Sequence, residues 1–277
     1  MRLARARPIP GFGVSITVTT AVLLVLVIVP LAALVIAVAR APADAIVQAV
    51  TDRRTLYACG LSLGASALAA AIAAPLGLAI AWALARWEFP GRRLVDALVD
   101  VPFALPTAVS GIALTALCAP NGWIGSLLAP LGVELAFTRA GIVVALLFTG
   151  LPFVVRTVQP VLQDLPADVE EAAASLGASP AQTFRRVIFP AIFPAFLAGT
   201  TLAFARSLGE YGSVVFIAGN RPEYSEIAPY RILTHLEGYD YASASIVALA
   251  MLVASAGLLL AVNAFERRLS RRGTRTA

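Results

Sequence analysis

Six long apolar segments constrain this chain more than any other feature of its sequence. The chain is 59% hydrophobic and 13% charged, whereas soluble globular proteins are about 45–50% apolar and about 25% charged. A helix needs about 20 apolar residues to cross a bilayer, and each segment is close to that length or longer. The segments cover residues 14–39, 57–84, 98–117, 140–158, 192–218 and 242–265. The sequence therefore predicts an all-α polytopic membrane protein with about six transmembrane helices.

The distribution of arginine predicts the orientation of these helices. All 21 basic residues are arginine, and the cytoplasmic flanks of membrane helices carry an excess of basic residues. If the N-terminus is cytoplasmic, fourteen arginines lie at inner positions: Arg2, Arg5, Arg7, Arg86, Arg92, Arg93, Arg156, Arg185, Arg186, Arg267, Arg268, Arg271, Arg272 and Arg275. Six lie at outer positions: Arg40, Arg53, Arg54, Arg139, Arg221 and Arg231. This bias predicts that both termini are cytoplasmic.

The spans and their flanks also predict how the chain is organised. Basic cytoplasmic tails are expected at residues 1–13 and 266–277, a first transmembrane helix at 14–39 and a transmembrane core at 57–265. A cytoplasmic segment at 167–190 interrupts that core. The basic start and first apolar run resemble a signal peptide, but the run exceeds the usual length of about 7–15 residues. Further spans follow it, so we expect the first helix to be retained.

Several classes of function are disfavoured by the residue types present. The net charge is +5, but the arginines lie mostly at span ends without an aromatic-basic motif, so no nucleic acid partner is expected. His235 is the only histidine, and Cys59 and Cys118 form no metal-binding motif, so no metal site is expected. The sequence contains no G-x-x-x-x-G-K-[ST] loop, so the chain should bind no ATP or other cofactor itself. No catalytic set of residues emerges, and no enzyme is expected.

Two small-residue faces predict close helix packing in the membrane. Gly60 and Gly64 are four residues apart in the second span, and Gly199, Ala203 and Ser207 repeat at the same spacing in the fifth. Small side chains on one face let helix backbones approach closely in lipid. Chance in an Ala-rich chain is the alternative explanation. Neither face indicates a substrate.

A charged, Ala-rich segment between the fourth and fifth spans differs from its surroundings, "PADVEEAAASLGASPAQTFRRVIFP". Its first acidic residues suit a helix N-terminus, and its alanines favour a helix. Gly177 is placed to end that helix in a left-handed turn, and Ser179 is a candidate N-cap for a second helix leading into span five. The residues alone leave two interpretations open: docking into a cleft of a soluble partner, or a connector on the membrane surface.

This segment resembles the signature loop of ABC importer membrane subunits. That loop reads E-A-A-x-x-x-G, then nine intervening residues, then I-x-L-P. Val187 and Phe189 stand where that pattern prefers Ile and Leu. In that family the loop is the coupling helix, which sits in a groove of the ATP-hydrolysing subunit. The resemblance implies an ATPase-coupling role for Glu170, Glu171, Ala172, Ala173, Gly177 and Pro190.

Three further stretches resemble the T-type permease subunit of bacterial sulfate/thiosulfate importers. They are "RRLVDALVDVPFALPTAVSGIALTAL", "FTGLPFVVRTVQPVLQDLP" and "FARSLGEYGSVVFIAGN". The resemblance covers most of the chain and implies the type I ABC importer permease fold in the bacterial inner membrane. It implies four kinds of partner: a homologous W-type permease subunit, two ATP-binding subunits that hold ATP and Mg²⁺, a periplasmic sulfate/thiosulfate-binding protein, and the lipid bilayer.

Two alternative functions stay open at this point. A molybdate or tungstate permease shares the Gly-Glu stretch of span five. A secondary anion transporter or channel would need no ATPase, but an inverted repeat with matching broken helices would then be expected, and no convincing repeat is visible in the sequence.

The hypothesis for the substrate pathway rests on polar residues inside the third and fifth spans. Ionisable groups within a span are costly and usually face the bundle interior or a cavity, and broken helices are tolerated where they line one. Arg206 and Glu210 are four residues apart, which predicts a shared helix face. The pathway hypothesis comprises Thr107, Ser110, Arg206, Ser207 and Glu210. The alternatives are a purely structural ion pair in span five and a simple proline kink in span three.

Overall fold

The computed structural model describes residues 12–273, with side-chain surroundings through residue 262. All regular structure in that range is helical. The helices are α1 (Phe12–Ala39), α2 (Ala43–Thr51), α3 (Arg53–Arg86), α4 (Arg92–Ala104), α5 (Thr107–Cys118), α6 (Trp123–Leu128), α7 (Arg139–Asp164), α8 (Ala167–Ser175), α9 (Pro180–Thr183), α10 (Phe189–Leu208), α11 (Val214–Ile217), α12 (Ala228–Glu237) and α13 (Tyr241–Gly273). A 3₁₀ turn (Ala129–Leu131) follows α6, and a π-helical turn (Phe184–Ile188) joins α9 to α10. Of the predicted tails, residues 1–11 and 274–277 lie outside the described range.

Six helical segments are long and apolar enough to cross a membrane. They are Phe12–Ala39, Arg53–Arg86, Thr107–Leu131, Arg139–Asp164, Pro180–Leu208 and Tyr241–Val262. The all-α fold with about six transmembrane helices is therefore confirmed. The first segment has no buried residue and packs beside α13, as expected of a peripheral helix.

The centre of the bundle is the packed triplet of α3, α7 and α10. One buried apolar cluster joins these three helices and includes Val154 and Val158 of α7, with Ala73 and Ala81 of α3. A second cluster near the start of α7 packs Ile142 and neighbouring residues against α5 and α11. The triplet is thus the rigid frame to which the other elements attach.

Two glycines allow the triplet to pack closely around one valine. A Cβ added at Gly77 of α3 would lie 2.6 Å from the Cβ of Val154, and one added at Gly199 of α10 would lie 3.0 Å from its Cα. Real Cβ atoms essentially never approach within 3.0 Å. Helix α3 therefore depends on glycine where it crosses α7, whereas at Gly199 of α10 a side chain would fit only if its neighbour shifted by a few tenths of an ångström.

The two predicted small-residue faces differ in what they contact. Gly199, Ala203 and Ser207 are buried against α7, so the face in the fifth span packs inside the bundle as predicted. A Cβ added at Gly60 or Gly64 would meet no neighbouring helix within 4 Å. The face in the second span is therefore not used for packing within the described part of this chain.

Two predicted spans are interrupted, the third at prolines that indicated a broken or kinked helix and the fifth without such a signal. The span at 98–117 is interrupted: α4 ends at Ala104, Leu105 is extended, and α5 begins after Pro106. Proline disfavours the helical conformation of the residue before it and has no N–H to donate, so the helix stops there. The span at 192–218 also ends early, because α10 stops at Leu208 and only the short α11 follows.

Candidate functional site

The segment between α7 and α10 folds as two helices around a left-handed glycine. The N–H of Gly177 donates to the carbonyl of Ala174 at 2.9 Å, and the N–H of Ala178 donates to that of Ala173 at 3.0 Å. Gly177 has φ +79°. This pair of bonds is a Schellman motif, which ends a helix through a left-handed residue. The turn predicted at Gly177 is confirmed.

The second helix of the segment begins with a capping box. The Ser179 hydroxyl accepts from the N–H of Gln182 at 3.3 Å, and the Gln182 amide oxygen accepts from the N–H of Ser179 at 2.8 Å. The N-cap predicted at Ser179 is confirmed, whereas the reciprocal role of Gln182 was missed. The spacing S-x-x-Q was its visible signal.

The exposed surface of this segment is partly apolar. Leu176, directly before the glycine turn, is 89% exposed, and Glu171 and Ala172 are also exposed. Ala173 is half-buried, and Pro190 is exposed in the first turn of α10. Leu176 was missed by the sequence reasoning, although a leucine beside a turn-forming glycine in a polar loop was its signal.

Glu170 of α8 faces the bundle. Its Oε1 lies 2.6 Å from Nη2 of Arg86, the last residue of α3, and both side chains are partly buried. The contact is an ion pair. The predicted coupling residues thus divide into exposed ones and one that contacts the bundle.

The two interrupted helices meet inside the bundle. A Cβ on Gly212 would lie 2.1 Å from Oγ1 of Thr107, and one on Gly111 would lie 2.5 Å from the carbonyl oxygen of Ser213. The chain after α10 therefore lies directly on the start of α5. The sequence indicated the break in the third span, but neither the break after α10 nor the contact between the two.

Arg206 and Glu210 form an ion pair at this junction, between Nη1 and Oε2. Glu210 lies just past the end of α10, so the prediction that both share a helix face was wrong; α10 ends at Leu208 with Gly209 as its cap. The other oxygen of Glu210, Oε1, accepts from the N–H and the hydroxyl of Ser213, both at 2.9 Å. Ser213 was missed, because its partner lies in an irregular turn.

Burial differs sharply between the two partners of this pair. The side chain of Glu210 is 2% exposed and that of Arg206 is 36% exposed. Three hydrogen bonds hold the carboxylate, which satisfies the rule that a buried charge must be paired and hydrogen-bonded. The guanidinium of Arg206, in contrast, is partly exposed and therefore accessible to another group.

The other two predicted pathway residues are turned into the protein. The Ser207 hydroxyl donates to the carbonyl of Leu146 in α7 at 3.2 Å, and the Ser110 hydroxyl donates to the carbonyl of Pro106 at 3.4 Å. Both serines are 2% exposed. Ser207 thus links α10 to α7, whereas Ser110 bonds to the backbone at the start of its own helix.

A second arginine cluster joins α4 to α7. Arg156 donates to the carboxylates of Asp96 and Asp100, at 2.6 to 2.7 Å, and to the side-chain oxygen of Gln159 at 2.8 Å. The hydrogen bond from Arg156 lowers the pKa of Asp96, against the opposing effect of partial burial. This cluster anchors the half of the interrupted helix that precedes Pro106.

Six membrane-length helices define the class of this chain as a polytopic membrane protein. The chain belongs to the family described as "Binding-protein-dependent transport system inner membrane component", which matches residues 73–275. Among its relatives, it is 51% identical to the "Probable sulfate transport system permease protein cysT" of Nephroselmis olivacea, over 75% of this chain and 73% of that protein. It is 46% identical to the "Sulfate transport system permease protein CysT" of Salmonella typhimurium, over 80% of each. It is 44% identical to the protein of the same name in Escherichia coli, over 81% of this chain and 81% of that protein.

Solved structures agree on the fold. A bacterial ABC transporter involved in the import of the acidic polysaccharide alginate has a chain that matches with TM-score 0.77 and 17% identity, over 92% of this chain and 94% of that one. A methionine ABC transporter in inward-facing conformations matches with TM-score 0.57 and 19% identity, over 78% and 94%. These likenesses concern the fold alone. The type I ABC importer permease fold is thereby confirmed.

Proposed function

We propose that this chain is a membrane-spanning subunit of an ATP-driven importer that moves sulfate or thiosulfate into the cytoplasm across the bacterial inner membrane. The observation that carries the proposal is the identity of 44–51% to proteins named sulfate transport system permeases, over most of both chains. The sequence motifs and the fold agree with it. ATP hydrolysis is the work of a separate chain.

The segment α8–α9 is the proposed docking site for an ATP-binding subunit. Its first helix ends in a stiff turn and presents exposed Glu171, Ala172 and Leu176. An apolar side chain that stands free at a helix end is suited to fill a pocket on a partner. The proposed assembly contains a homologous W-type permease, two ATP-binding subunits and a periplasmic binding protein that delivers the anion.

Arg206 is the proposed anion contact within the membrane. Its guanidinium is a third exposed, whereas Glu210 is buried and also held by Ser213. A fixed carboxylate orients the guanidinium and offsets part of its charge, so that a dianion can bind and leave. Thr107 lies beside the same junction and offers a hydroxyl to the same path.

Reconstitution tests the transport function. The chain is purified with the proposed W-type permease and ATP-binding subunit, inserted in vesicles, and supplied with binding protein and labelled sulfate. We expect uptake that requires both ATP and binding protein. Uptake by this chain alone, without ATP, would show a secondary transporter or channel instead.

The pair Arg206→Gln and Glu210→Gln tests the pathway role. A hydrogen bond to a charged group contributes about 1.5–3 kcal/mol, so we expect the double variant to assemble but to take up sulfate about tenfold more slowly or worse. Because Arg206 is a third exposed, losing one partner should destabilise the protein by less than the about 3–5 kcal/mol of a fully buried pair.

The matched control is Arg40→Gln, which removes an exposed arginine from the turn after α1. Uptake is normalised to assembled complex. Near-normal uptake by the double variant would show that the pair is only structural.

A further inference from the structure

The cytoplasmic helix α8 is joined to the bundle by two different routes. The first is the chain itself, which runs from α8 through α9 and the π-helical turn into α10. The second is the ion pair between Glu170 of α8 and Arg86 of α3. These residues are far apart in sequence, so the ion pair reaches a helix that the chain route does not.

An aromatic contact joins the π-helical turn to α3, whereas the ion pair is the contact that joins α8 to α3. The rings of Trp82 in α3 and Phe184 in the π-helical turn meet edge to face, with centroids 5.5 Å apart. That contact holds the turn, not α8. Between Trp82, Phe184 and α8 lies an open cavity of about 460 Å³. Glu170 lines this cavity, and its carboxylate reaches Arg86 at 2.6 Å.

Arg86 is well placed to transmit force along α3. It is the last residue of that helix, where the helix dipole favours a cation. Its side chain is 21% exposed and that of Glu170 is 33% exposed, so solvent screens the pair only in part. Arg86 Nε and Nη2 are buried without a hydrogen-bond partner, which leaves the carboxylate as the charge that compensates the guanidinium.

We propose that the Arg86–Glu170 ion pair is a mechanical link that carries the displacement of α8 to α3 while the chain carries it to α10. The inference rests on the proposed function, in which an ATP-binding subunit moves α8. Both helices cross α7 at Val154 through Gly77 and Gly199. Pulling α10 alone would shear these contacts, whereas pulling α3 and α10 together moves the triplet as one body. Arg86 is therefore a positioning residue for coupling.

The test uses the assembled complex in vesicles and measures sulfate taken up per ATP hydrolysed. Arg86→Gln and Glu170→Gln are expected to lower this ratio by about fivefold each, a typical size for coupling between sites, and their double variant should be no worse than either single one. The charge swap, Arg86→Glu with Glu170→Arg, should restore the ratio to within about twofold of the parent. Arg86→Lys keeps the charge and should retain most of the coupling.

Glu88→Gln is the matched control, because Glu88 is an exposed carboxylate two residues after Arg86. It should leave the ratio unchanged. The proposed link is overturned if both neutral variants couple like the parent, or if the charge swap fails to restore what they lose. Failure of the proposed function is a separate result: the unmodified complex then shows no ATP-dependent uptake, and the link falls with it.

Discussion

Two segments at opposite ends of the bundle, the loop before α12 and helix α8, are held in opposite ways. At the end predicted to face outward, ionic and aromatic contacts fasten the loop before α12 to α3 and α7. Glu226 is fully buried and accepts two hydrogen bonds from Arg54, at 2.6 and 2.8 Å. The guanidinium of Arg139 lies over the rings of Tyr57 and Tyr224, 5.3 and 4.8 Å from their centroids. This loop is fixed from two helices at once.

The opposite end carries a segment with few such contacts. Helix α8 packs mainly on α9 and the π-helical turn, has no buried residue, and carries Leu176 at its exposed tip. Its ionic contact with the bundle is the one between Glu170 and Arg86.

These contacts suit the loop before α12 to resist motion and leave helix α8 able to move. Stability is distributed unevenly in proteins, and elements with few buried contacts open or move at the lowest free energy. Helix α8, which a partner is proposed to displace, has one ion pair to the bundle, and both of its side chains are partly exposed. The loop before α12 is instead held by the fully buried Glu226.

The largest expected effect follows from breaking the buried ion pair between Arg54 and Glu226, the lock of the outer loop. Glu226→Ala leaves the guanidinium of Arg54 without its carboxylate, and removing one partner of a buried pair costs about 3–5 kcal/mol. A third of the Arg54 side chain is exposed, so we expect the lower end, about 3 kcal/mol. Thermal unfolding of the purified protein in detergent measures the loss.

Glu223→Ala is the control for that substitution. It removes an exposed carboxylate from the same loop, where it pairs with Arg53 on the surface. Surface pairs contribute about 0–1 kcal/mol, so little change is expected. Equal losses in the two variants would contradict the comparison between a locked and a free end.

The next effect concerns the left-handed turn between α8 and α9. Gly177→Val forces a β-branched residue to φ +79°, at a cost of about 1–2 kcal/mol. Nothing lies within 4 Å of the added Cβ, so the strain stays local. The variant should assemble, yet lose ATP hydrolysis stimulated by the binding protein, because α8 and α9 no longer meet at the required angle.

Gly132→Val is a matched control for this turn. Gly132 has φ +70° and also has open space around its Cβ position, but it lies after the 3₁₀ turn, away from the cytoplasmic segment. It should cost similar stability without affecting ATP hydrolysis. Normal stimulation in Gly177→Val vesicles would count against a coupling role for the segment.

A smaller effect should appear with pH at the outer end. Burial raises the pKa of Asp52, but hydrogen bonds from Thr55 and the nearby charge of Arg231 outweigh it and lower the pKa below its usual 3.8. The carboxylate therefore stabilises the folded state above pH 3.8, and this contribution is lost as the pH falls through the lowered value. Asp52→Asn should be less stable than the parent at pH 7, by up to about 1 kcal/mol.

The difference between parent and Asp52→Asn should shrink as the pH falls below 3.8 and vanish below the lowered pKa of Asp52. Other carboxylates titrate in both proteins, so the difference isolates Asp52. Asp44→Asn, at an exposed position of α2, serves as the control. A difference that is constant from pH 7 to below that lowered pKa would mean that the charge of Asp52 adds no stability.

Structural features that depend on residues close together in the sequence were predictable. Apolar length indicated the membrane spans, Gly177 and Ser179 indicated where two helices meet, and the spacing of small residues indicated the packed face at Gly199. Each depends on backbone preferences or periodicity within a few residues. The same local rules explain the main error: apolarity alone does not indicate where a helix ends, so the predicted fifth span continues past Leu208, where α10 stops.

Contacts between distant segments could not be predicted. Arg54 and Glu226 are 172 positions apart, and no local sequence feature near either residue indicates that the two are in contact. Ser213 supports Glu210 only because the chain turns after α10. Arg86 was counted as one more inner arginine, although its contact with Glu170 depends on where the folded segment lies. Pairing of this kind follows from the tertiary arrangement, which a single sequence does not state.

The smallest perturbation is a single cysteine, which tests which end of the bundle faces the cytoplasm. The inner and outer assignments rest on arginine bias. In a chain without Cys59 and Cys118, single cysteines replace Asn121 and Ser175, both exposed. Asn220 is less suitable, because its amide donates to the carbonyl of Val215 at 2.7 Å.

In intact cells, an impermeant thiol reagent should label the cysteine at position 121 and not the one at 175; after the membrane is opened, both should react. The open-membrane reaction is the control for exposure. Labelling of position 175 from outside would reverse the bundle: α8 would then lie where no ATP-binding subunit can reach it, and the buried lock at Glu226 would face the cytoplasm. The contrast between the two ends would remain as a structural fact, but its interpretation as a fixed outer loop and a movable cytoplasmic helix would be lost.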